Sequence, residues 1–196
     1  MGADDILGGI HRPDTVKDPA GAAPIDRERQ RRLVEEHRAA RVRELLAPGS
    51  RTAPHFERTA VRPSYFPVDT TYRVPVTLEP AALDAHARRE RVTGETEHFP
   101  VVGLLRGSLG GQPFALEAAR MPDGVIQVDF RDATSGSESY AFRYLPVEPG
   151  ADTAWWLDFN FAQNPLCAYG DGYRCVLPPS QNTLTIPIRA GERRFR

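Results

Sequence analysis

Short segments in which apolar and polar residues alternate extend from residue 71 to residue 190. In VIQVDFRD (residues 125–132), one face carries apolar side chains and the other carries Gln127, Asp129 and Arg131. A period of two residues is typical of a β-strand with one buried face. The same alternation predicts strands in residues 71–79, 98–109, 112–120, 139–147, 155–161 and 182–190. The sequence therefore predicts a chain made mainly of short β-strands.

Glycine and proline are frequent enough to connect these strands by tight turns. The chain has 16 Gly and 18 Pro among 196 residues, which is more than a globular protein usually contains. Gly110-Gly111 provides the two positive φ angles that a two-residue hairpin turn requires. Strands at this spacing predict an antiparallel barrel or sandwich over residues 55–196.

The N-terminal part of the chain has a different organisation. Residues 1–23 are rich in Gly, Asp, Ala and Pro, which predicts a flexible tail. Residues 24–48 predict an α-helix beside the barrel, because Asp26 can cap its start and Pro48-Gly49 ends it. Residues 79–92 fit either a short helix or an exposed loop, and we favour the helix.

Composition excludes several classes of function. The formal net charge of −1 argues against a general nucleic-acid binder, and no apolar run is long enough to span a membrane. Lys17 is the only lysine and lies in the polar tail, which argues against Schiff-base chemistry. No cysteine or histidine motif for zinc occurs. We expect no cofactor and no metal, and the absence of a secretory signal predicts a cytoplasmic location.

Cys167 and Cys175 are the only cysteines. Their spacing permits a disulfide that closes a short loop. A cytoplasmic chain usually keeps its thiols reduced, so we favour two buried, reduced side chains.

A series of motifs in the C-terminal half resembles the domain-of-unknown-function family 1684. The series runs in order through DATSG, SYAFRYL, LDFN, NPLCAY, a second cysteine, LPPSQN and IRAGE, between Asp132 and Glu192. The segment FERTAVRPSYFPVDTTYRV is also similar to the family, so the resemblance covers residues 30–196. The resemblance implies a mainly β fold, an antiparallel lipocalin-like (calycin-type) barrel with an N-terminal helix, and a short, divergent member. It implies no activity.

Several positions depart from that family pattern, with two potential charges lost and two larger apolar groups gained. Phe161 and Gln163 stand where the family has Arg and Tyr, and Leu166 replaces a Pro. Phe142 lies in a stretch that is Gly-rich in the family, and Gln181 replaces a Glu. If these side chains line a cavity, the cavity is more apolar than in the fuller family members.

Two small constellations are candidates for chemistry. Asp158 and Asn160 lie two residues apart, so a strand places them on one face together with Trp156. A buried Asp158 would have a raised pKa and could act as an acid or base. Tyr140 is a candidate proton donor. Arg143 fits an ion pair with Asp132, Asp158 or Glu192 better than an anion site.

Three functions follow from these observations. We expect first a cofactor-free β-barrel that binds a hydrophobic small molecule, such as a polyketide or fatty-acyl-like compound of specialised metabolism. Its expected ligand-binding residues are Phe142, Trp156, Asn160, Phe161, Gln163 and Leu166. The alternative is a cofactor-independent cyclase, isomerase or lyase with Asp158, Tyr140 and Arg143 as catalytic residues. The third is an interaction module that uses the basic helix, and a homodimer is compatible with any of the three.

Overall fold

A computed structural model describes residues 26–50, 62–147, 149 and 154–195. The expected flexible tail lies outside these residues. The described chain forms one α-helix and seven β-strands. They are α1 (Arg27–Leu46), β1 (Arg73–Pro80), β2 (His86–Glu90), β3 (Thr96–Leu109), β4 (Gln112–Arg120), β5 (Ile126–Phe130), β6 (Arg143–Pro146) and β7 (Ala154–Asp158).

Helix α1 begins and ends at the predicted signals. The Asp26 carboxylate accepts hydrogen bonds from the backbone N–H groups of Glu28 and Arg29, as an N-cap does. Ala47 follows the last turn, and Gly49 adopts a positive φ of 80°. The buried side of the helix is partly polar, with Gln30 and Arg41 beside Val34 and Leu45.

The strands form one antiparallel sheet in the order β6-β5-β4-β3-β1-β7, and β2 pairs with the first half of β3. The predicted hairpin at Gly110-Gly111 joins β3 to β4, with φ angles of 57° and 80°. After β7 the chain turns through Phe159–Phe161, and Gln163 exchanges two backbone hydrogen bonds of 2.9 Å with Tyr144 on β6. This connection brings the two edges of the sheet together, so the sheet curls into a half-barrel.

Apolar side chains fill the interior of the half-barrel. The alternate apolar residues of β5 and β7 face inward as their patterns predicted, those of β4 do so as well, and the C-terminal segment adds Leu184, Ile188 and Ala190. Side chains with almost no solvent exposure occupy the centre: Leu105, Leu116, Val128, Phe130, Leu145, Leu157, Phe159 and Ile188. Two grooves in the described part of the chain lie outside this interior.

Two predicted elements were wrong. The helix expected in residues 79–92 is the strand β2, which pairs with β3 from His86↔Pro100 to Glu90↔Thr96. Residues 182–190 form no strand within the described chain, although their side chains alternate as expected. Their backbone pairs with residues 131–133 only at an isolated bridge, where the Leu184 N–H donates to the Arg131 carbonyl at 2.8 Å. It also bonds to side chains: the Ile188 N–H donates to Asp132 Oδ1, and the Ile188 carbonyl accepts from Arg143.

Candidate functional site

Asp158 and Asn160 lie together under helix α1, but not on one strand face as predicted, because β7 ends at Asp158 and Asn160 lies in the turn Phe159–Phe161. Asp158 accepts hydrogen bonds from Gln30 Nε2, from the Asn160 N–H at 3.0 Å and from Asn160 Nδ2 at 2.8 Å. Asn160 also exchanges hydrogen bonds with the backbone of Asp69. Burial raises the pKa of Asp158, and the Asn160 hydrogen bonds oppose that rise. These contacts tie the helix and the turn after β7 to the sheet.

The aromatic residues expected beside Asp158 make separate contacts. The guanidinium of Arg73 lies 3.9 Å from the ring centre of Trp156, at cation–π distance. Phe161 packs edge-on against His37 of α1, with ring centres 5.0 Å apart. The two rings therefore support the helix and the edge strand.

Arg143 is enclosed in an ion pair with Asp132. The two side chains are fully buried, and Arg143 Nη2 lies 2.7 Å from Asp132 Oδ2. The guanidinium also donates to the carbonyls of Ile188, Ala190 and Glu192. It is the buried structural pair favoured by the sequence, and it holds the C-terminal segment in the half-barrel.

Tyr140, Phe142 and Leu166 lie in a third place, an aromatic cluster around the two cysteines. The Phe142 ring packs between Tyr140 and Tyr144, with ring centres 5.7 and 5.8 Å apart. Burial raises the pKa of Tyr140 to about 12. Cys167 and Cys175 are free thiols. The predicted site residues thus occupy three regions of the fold and do not line one shared pocket.

A groove on the outer face of the sheet brings together charged residues that the sequence analysis did not select. It lies between β2 and residues 177–180 and has a volume of about 530 Å³. We call it the arginine groove. Its lining consists of Arg88, Arg89, Glu90, Gly94, Thr96, Arg131, Leu177, Pro178, Pro179 and Ser180.

Arg89 is the most deeply buried charge of the arginine groove. Its exposed fraction is 3%, and its Nη2 lies 2.5 Å from Glu117 Oε1 on β4. Arg89 Nε is also buried, and it has no hydrogen-bond partner in the part of the chain that the structure describes. Glu117 Oε2 accepts a hydrogen bond from Gln181. The Arg89 Nε–H can therefore donate a hydrogen bond to one further acceptor.

Asp129 lies beneath this ion pair on β5. Burial raises its pKa to about 6, while a hydrogen bond from Gln127 and the charge of Arg89 oppose the rise. The Gln127 amide donates to Asp129 Oδ1 at 2.5 Å. Asp129 does not line the groove, so its effect on a ligand would be exerted through Arg89.

The wall opposite β2 is held by Asn182, which is completely buried. Its Nδ2 donates to the carbonyls of Glu117 and Asp129 at 2.9 and 2.8 Å, and its Oδ1 accepts from the Glu117 N–H. These bonds fix residues 177–182 across β4 and β5. The segment also contacts β2 directly, because the Leu177 N–H donates to the Glu90 carbonyl at 2.7 Å.

Arg131 and Arg88 add positive charge at the rim. Arg131 Nη1 donates to the Pro178 carbonyl at 3.2 Å, which places the guanidinium beside the wall. Arg88 is exposed on β2. Neither side chain forms an ion pair with another described residue. Glu90 is the single acidic residue among the described residues of the lining.

A signal for half of this site was present in the sequence. The alternation of VIQVDFRD places Gln127, Asp129 and Arg131 on one polar face, and that face is the covered outer surface of β5. No local pattern indicates that β2 and residues 177–182 cover it. Within the described residues, no group of three or more His, Cys, Asp or Glu is placed to hold a metal ion.

The motifs that build these sites are shared with other proteins. A family model described as "Protein of unknown function (DUF1684)" matches residues 61–193. The chain belongs to this family. The chain is also similar to an uncharacterized protein of Haloarcula marismortui whose structure was determined by solution NMR. The two are 30% identical with a TM-score of 0.66, over 86% of this chain and 96% of that chain. No curated protein matches the chain.

The DUF1684 motifs correspond to buried polar contacts in this fold. DATSG supplies Asp132 to Arg143, LPPSQN supplies the wall of the arginine groove, and IRAGE supplies Glu192, which accepts from the Asn164 N–H at 2.7 Å. Gly191 is required in IRAGE because a Cβ there would overlap the Ala162 carbonyl. No helix in the described part of the chain is long and apolar enough to cross a membrane.

Proposed function

We propose that this protein binds a small anionic compound in the arginine groove through a carboxylate or phosphate group. The observation that carries the proposal is Arg89, a nearly fully buried arginine whose Nε has no partner among the described residues. A buried donor without an acceptor costs about 1–3 kcal/mol. A ligand oxygen would remove that cost, and guanidinium groups match carboxylate and phosphate geometry.

The charge of the groove supports an anion. Three arginines and one glutamate line it, and Arg88 and Arg131 form no ion pair within the described chain. Glu117 neutralises part of the charge of Arg89. The remaining positive charge lies at the rim, where an incoming anion meets it first.

The size of the groove supports a small molecule. Ligand pockets usually enclose about 300–1,000 Å³, and the groove has about 530 Å³. The fixed segment with Pro178 and Pro179 forms one wall, so the site needs little ordering when it binds.

A hydrophobic ligand in a lipocalin-like barrel stays a prediction. The packed interior offers it no support, since large apolar side chains meet at the centre. A second outer groove of about 510 Å³, which includes Pro80, Val101 and Leu104, is the more favourable place for such a ligand. The expected homodimer and cytoplasmic location also stay predictions.

The enzyme and interaction-module alternatives have weaker support. Asp158 and Arg143 are engaged in separate networks on different parts of the fold, so they do not form one acid–base centre. The basic helix uses Gln30 and Arg41 for contacts with the sheet side. Arg38, Arg41 and Arg143 also have a buried Nε without a partner among the described residues, but none of them lines either of the two grooves described above.

Isothermal titration calorimetry tests the proposal with two probes, inorganic phosphate and succinate, in a low-salt buffer that contains neither. We expect binding by the wild type and a loss of about tenfold or more in Arg131→Gln or Arg88→Gln, because a hydrogen bond to a charged group contributes about 1.5–3 kcal/mol. Arg106→Gln is the matched control, since Arg106 is similarly exposed but pairs with Glu79 away from the groove. Equal affinity in all four proteins, or no binding of either probe, would overturn the proposal.

A further inference from the structure

Cys167 and Cys175 meet beside the aromatic cluster although neither is part of a disulfide. Cys167 lies in the turn Leu166–Ala168, and Cys175 lies in the segment that bonds to the end of the β2 hairpin through the Val92 N–H. The Cys167 N–H donates to Cys175 Sγ at 3.3 Å. Two segments that are fixed independently therefore bring the two thiols together.

The surroundings of the pair restrict which reagents reach it. Cys175 is 9% exposed and Cys167 is half-buried. Aromatic and aliphatic side chains pack around them: Tyr140, Phe142, Tyr144, Leu166, Tyr173 and Leu177. A molecule of the size of hydrogen peroxide can approach such a site more easily than a bulky disulfide reagent.

We propose that Cys167 and Cys175 are a redox-active dithiol that hydrogen peroxide oxidises to an intramolecular disulfide. The Cys175 thiolate attacks one peroxide oxygen, which forms a sulfenic acid and releases hydroxide. The Cys167 sulfur then attacks the sulfenic sulfur and forms the S–S bond. The displaced hydroxyl group takes the proton of the Cys167 thiol and leaves as water. The pair gives up two electrons and two protons, and the peroxide is reduced to two molecules of water.

The electrostatic environment assigns the first step to Cys175. The hydrogen bonds from Cys167 and Tyr144 and the charge of Arg91 lower the pKa of Cys175 to about 7, and burial opposes this. The contact with Cys175 and burial raise the pKa of Cys167. The titratable and charged groups that face Cys175 are Cys167, Tyr140, Tyr144, Tyr173 and Arg91. Because the thiolate is the nucleophile, the rate is expected to rise about tenfold from pH 6 to pH 8.

The sequence offers a direct assay, because Arg174 separates the two cysteines. Trypsin cuts after Arg143, Arg174 and Arg189, so it releases Cys167 in the peptide 144–174 and Cys175 in the peptide 175–189. The full chain is treated with hydrogen peroxide, alkylated in acid and digested without reductant. We expect one linked species that contains both peptides, lacks two hydrogen atoms and separates on reduction.

Matched variants separate this reaction from other oxidations. Cys167→Ser and Cys175→Ser are each expected to give no linked species. Cys175→Ser is expected to form a sulfenic acid at Cys167 much more slowly than Cys167→Ser forms one at Cys175. Separate peptides that are both alkylated, separate peptides with a sulfinic acid on each, or linkage only between two chains would overturn the proposal. The wild-type result decides the question even if a variant folds poorly.

This proposal is independent of anion binding in the arginine groove. Phosphate or succinate binding is measured on the reduced protein, and disulfide formation is measured without either probe. Failure of one result therefore does not imply failure of the other.

Discussion

At the scale of single residues, the outer face of the sheet holds charges at a depth where most proteins place apolar side chains. Arg89 and Asp129 are almost completely buried, and their charged forms require partners there. Glu117 and Gln127 provide those partners. Burial nevertheless raises the pKa of Asp129 to about 6, so the partners only partly offset the cost of burying its charged form.

Asp129→Asn is expected to stabilise the protein at pH 8 and to have little effect at pH 4. The unfolded carboxyl loses its proton near pH 4, but burial raises the folded pKa to about 6. The free energy of unfolding therefore falls as the pH rises from about 4 to 6. Above that range, the charged Asp129 carboxylate destabilises the folded protein by about 3 kcal/mol.

Urea unfolding of the wild type and Asp129→Asn at pH 4 and pH 8 measures this difference. Asp171→Asn is the control, because Asp171 is exposed in a loop. A lower stability of Asp129→Asn at pH 8 would contradict the prediction, since it would mean that the charged carboxylate stabilises Arg89.

Asp132→Asn is expected to destabilise the protein by about 3–5 kcal/mol, because it leaves the buried charge of Arg143 without its counterion. The comparison is Glu79→Gln, which removes the exposed ion pair with Arg106 and is expected to change stability by less than about 1 kcal/mol. Thermal unfolding of both variants measures the contrast. Similar losses in the two variants would show that the buried pair is not essential.

At the scale of elements, local signals predicted the helix and the hairpin but not the elements that complete the site. The ends of α1 were predictable because both signals, Asp26 and Pro48-Gly49, are local in the sequence. β2 was not predicted because Arg88, Arg89 and Glu90 give it no apolar alternation. The inward side of β2 meets Glu117, so a buried charge stands where a strand pattern requires an apolar residue.

Residues 182–190 show the opposite case. Their alternation was correct for the side chains, because Leu184 and Ile188 enter the core. The backbone forms only an isolated parallel bridge, at Thr183 with Arg131, and the side chains of Arg143 and Asp132 bond to it at Ile188. These contacts join residues about 50 positions apart in the chain, so no local sequence pattern could predict them.

A β-bulge in β3 is an element-scale feature that the curl of the sheet requires. The register with β4 shifts between Val101 and Gly103, where β3 leaves β2 and begins to pair with β1. A Cβ on Gly103 would overlap the Glu79 carbonyl oxygen of β1, and the φ angle there is 154°.

Gly103→Ala is therefore expected to lower the melting temperature strongly or to prevent folding, because the backbones of β1 and β3 would have to separate. Gly94→Ala is the control: Gly94 also has a positive φ of 85°, but no atom lies within 4 Å of an added Cβ. That variant is expected to lose only about 1 kcal/mol. Thermal unfolding monitored by circular dichroism measures both, and a similar small loss at Gly103 would contradict the role of the bulge.

At the scale of the whole molecule, the half-barrel is a packed support whose candidate site lies outside it. The alternating segments and the DUF1684 motifs were sufficient to predict a mainly β, antiparallel fold with an N-terminal helix. The location of the site could not be predicted, because it depends on which segments cover the outer face. Glu117 and Asn182, 65 residues apart, make that contact, and the sequence assigned chemistry to Asp158 and Arg143 instead.

The most direct test of an anion site in the arginine groove is a titration of the ¹⁵N-labelled protein with inorganic phosphate, followed by NMR. We expect the largest changes at the Arg89 and Arg131 Nε–H signals and at the backbone amides of β2 and of Leu177 and Ser180, with little change in α1. Changes confined to α1 or to the residues around Asp158, or no change at millimolar phosphate, would contradict an anion site in the arginine groove.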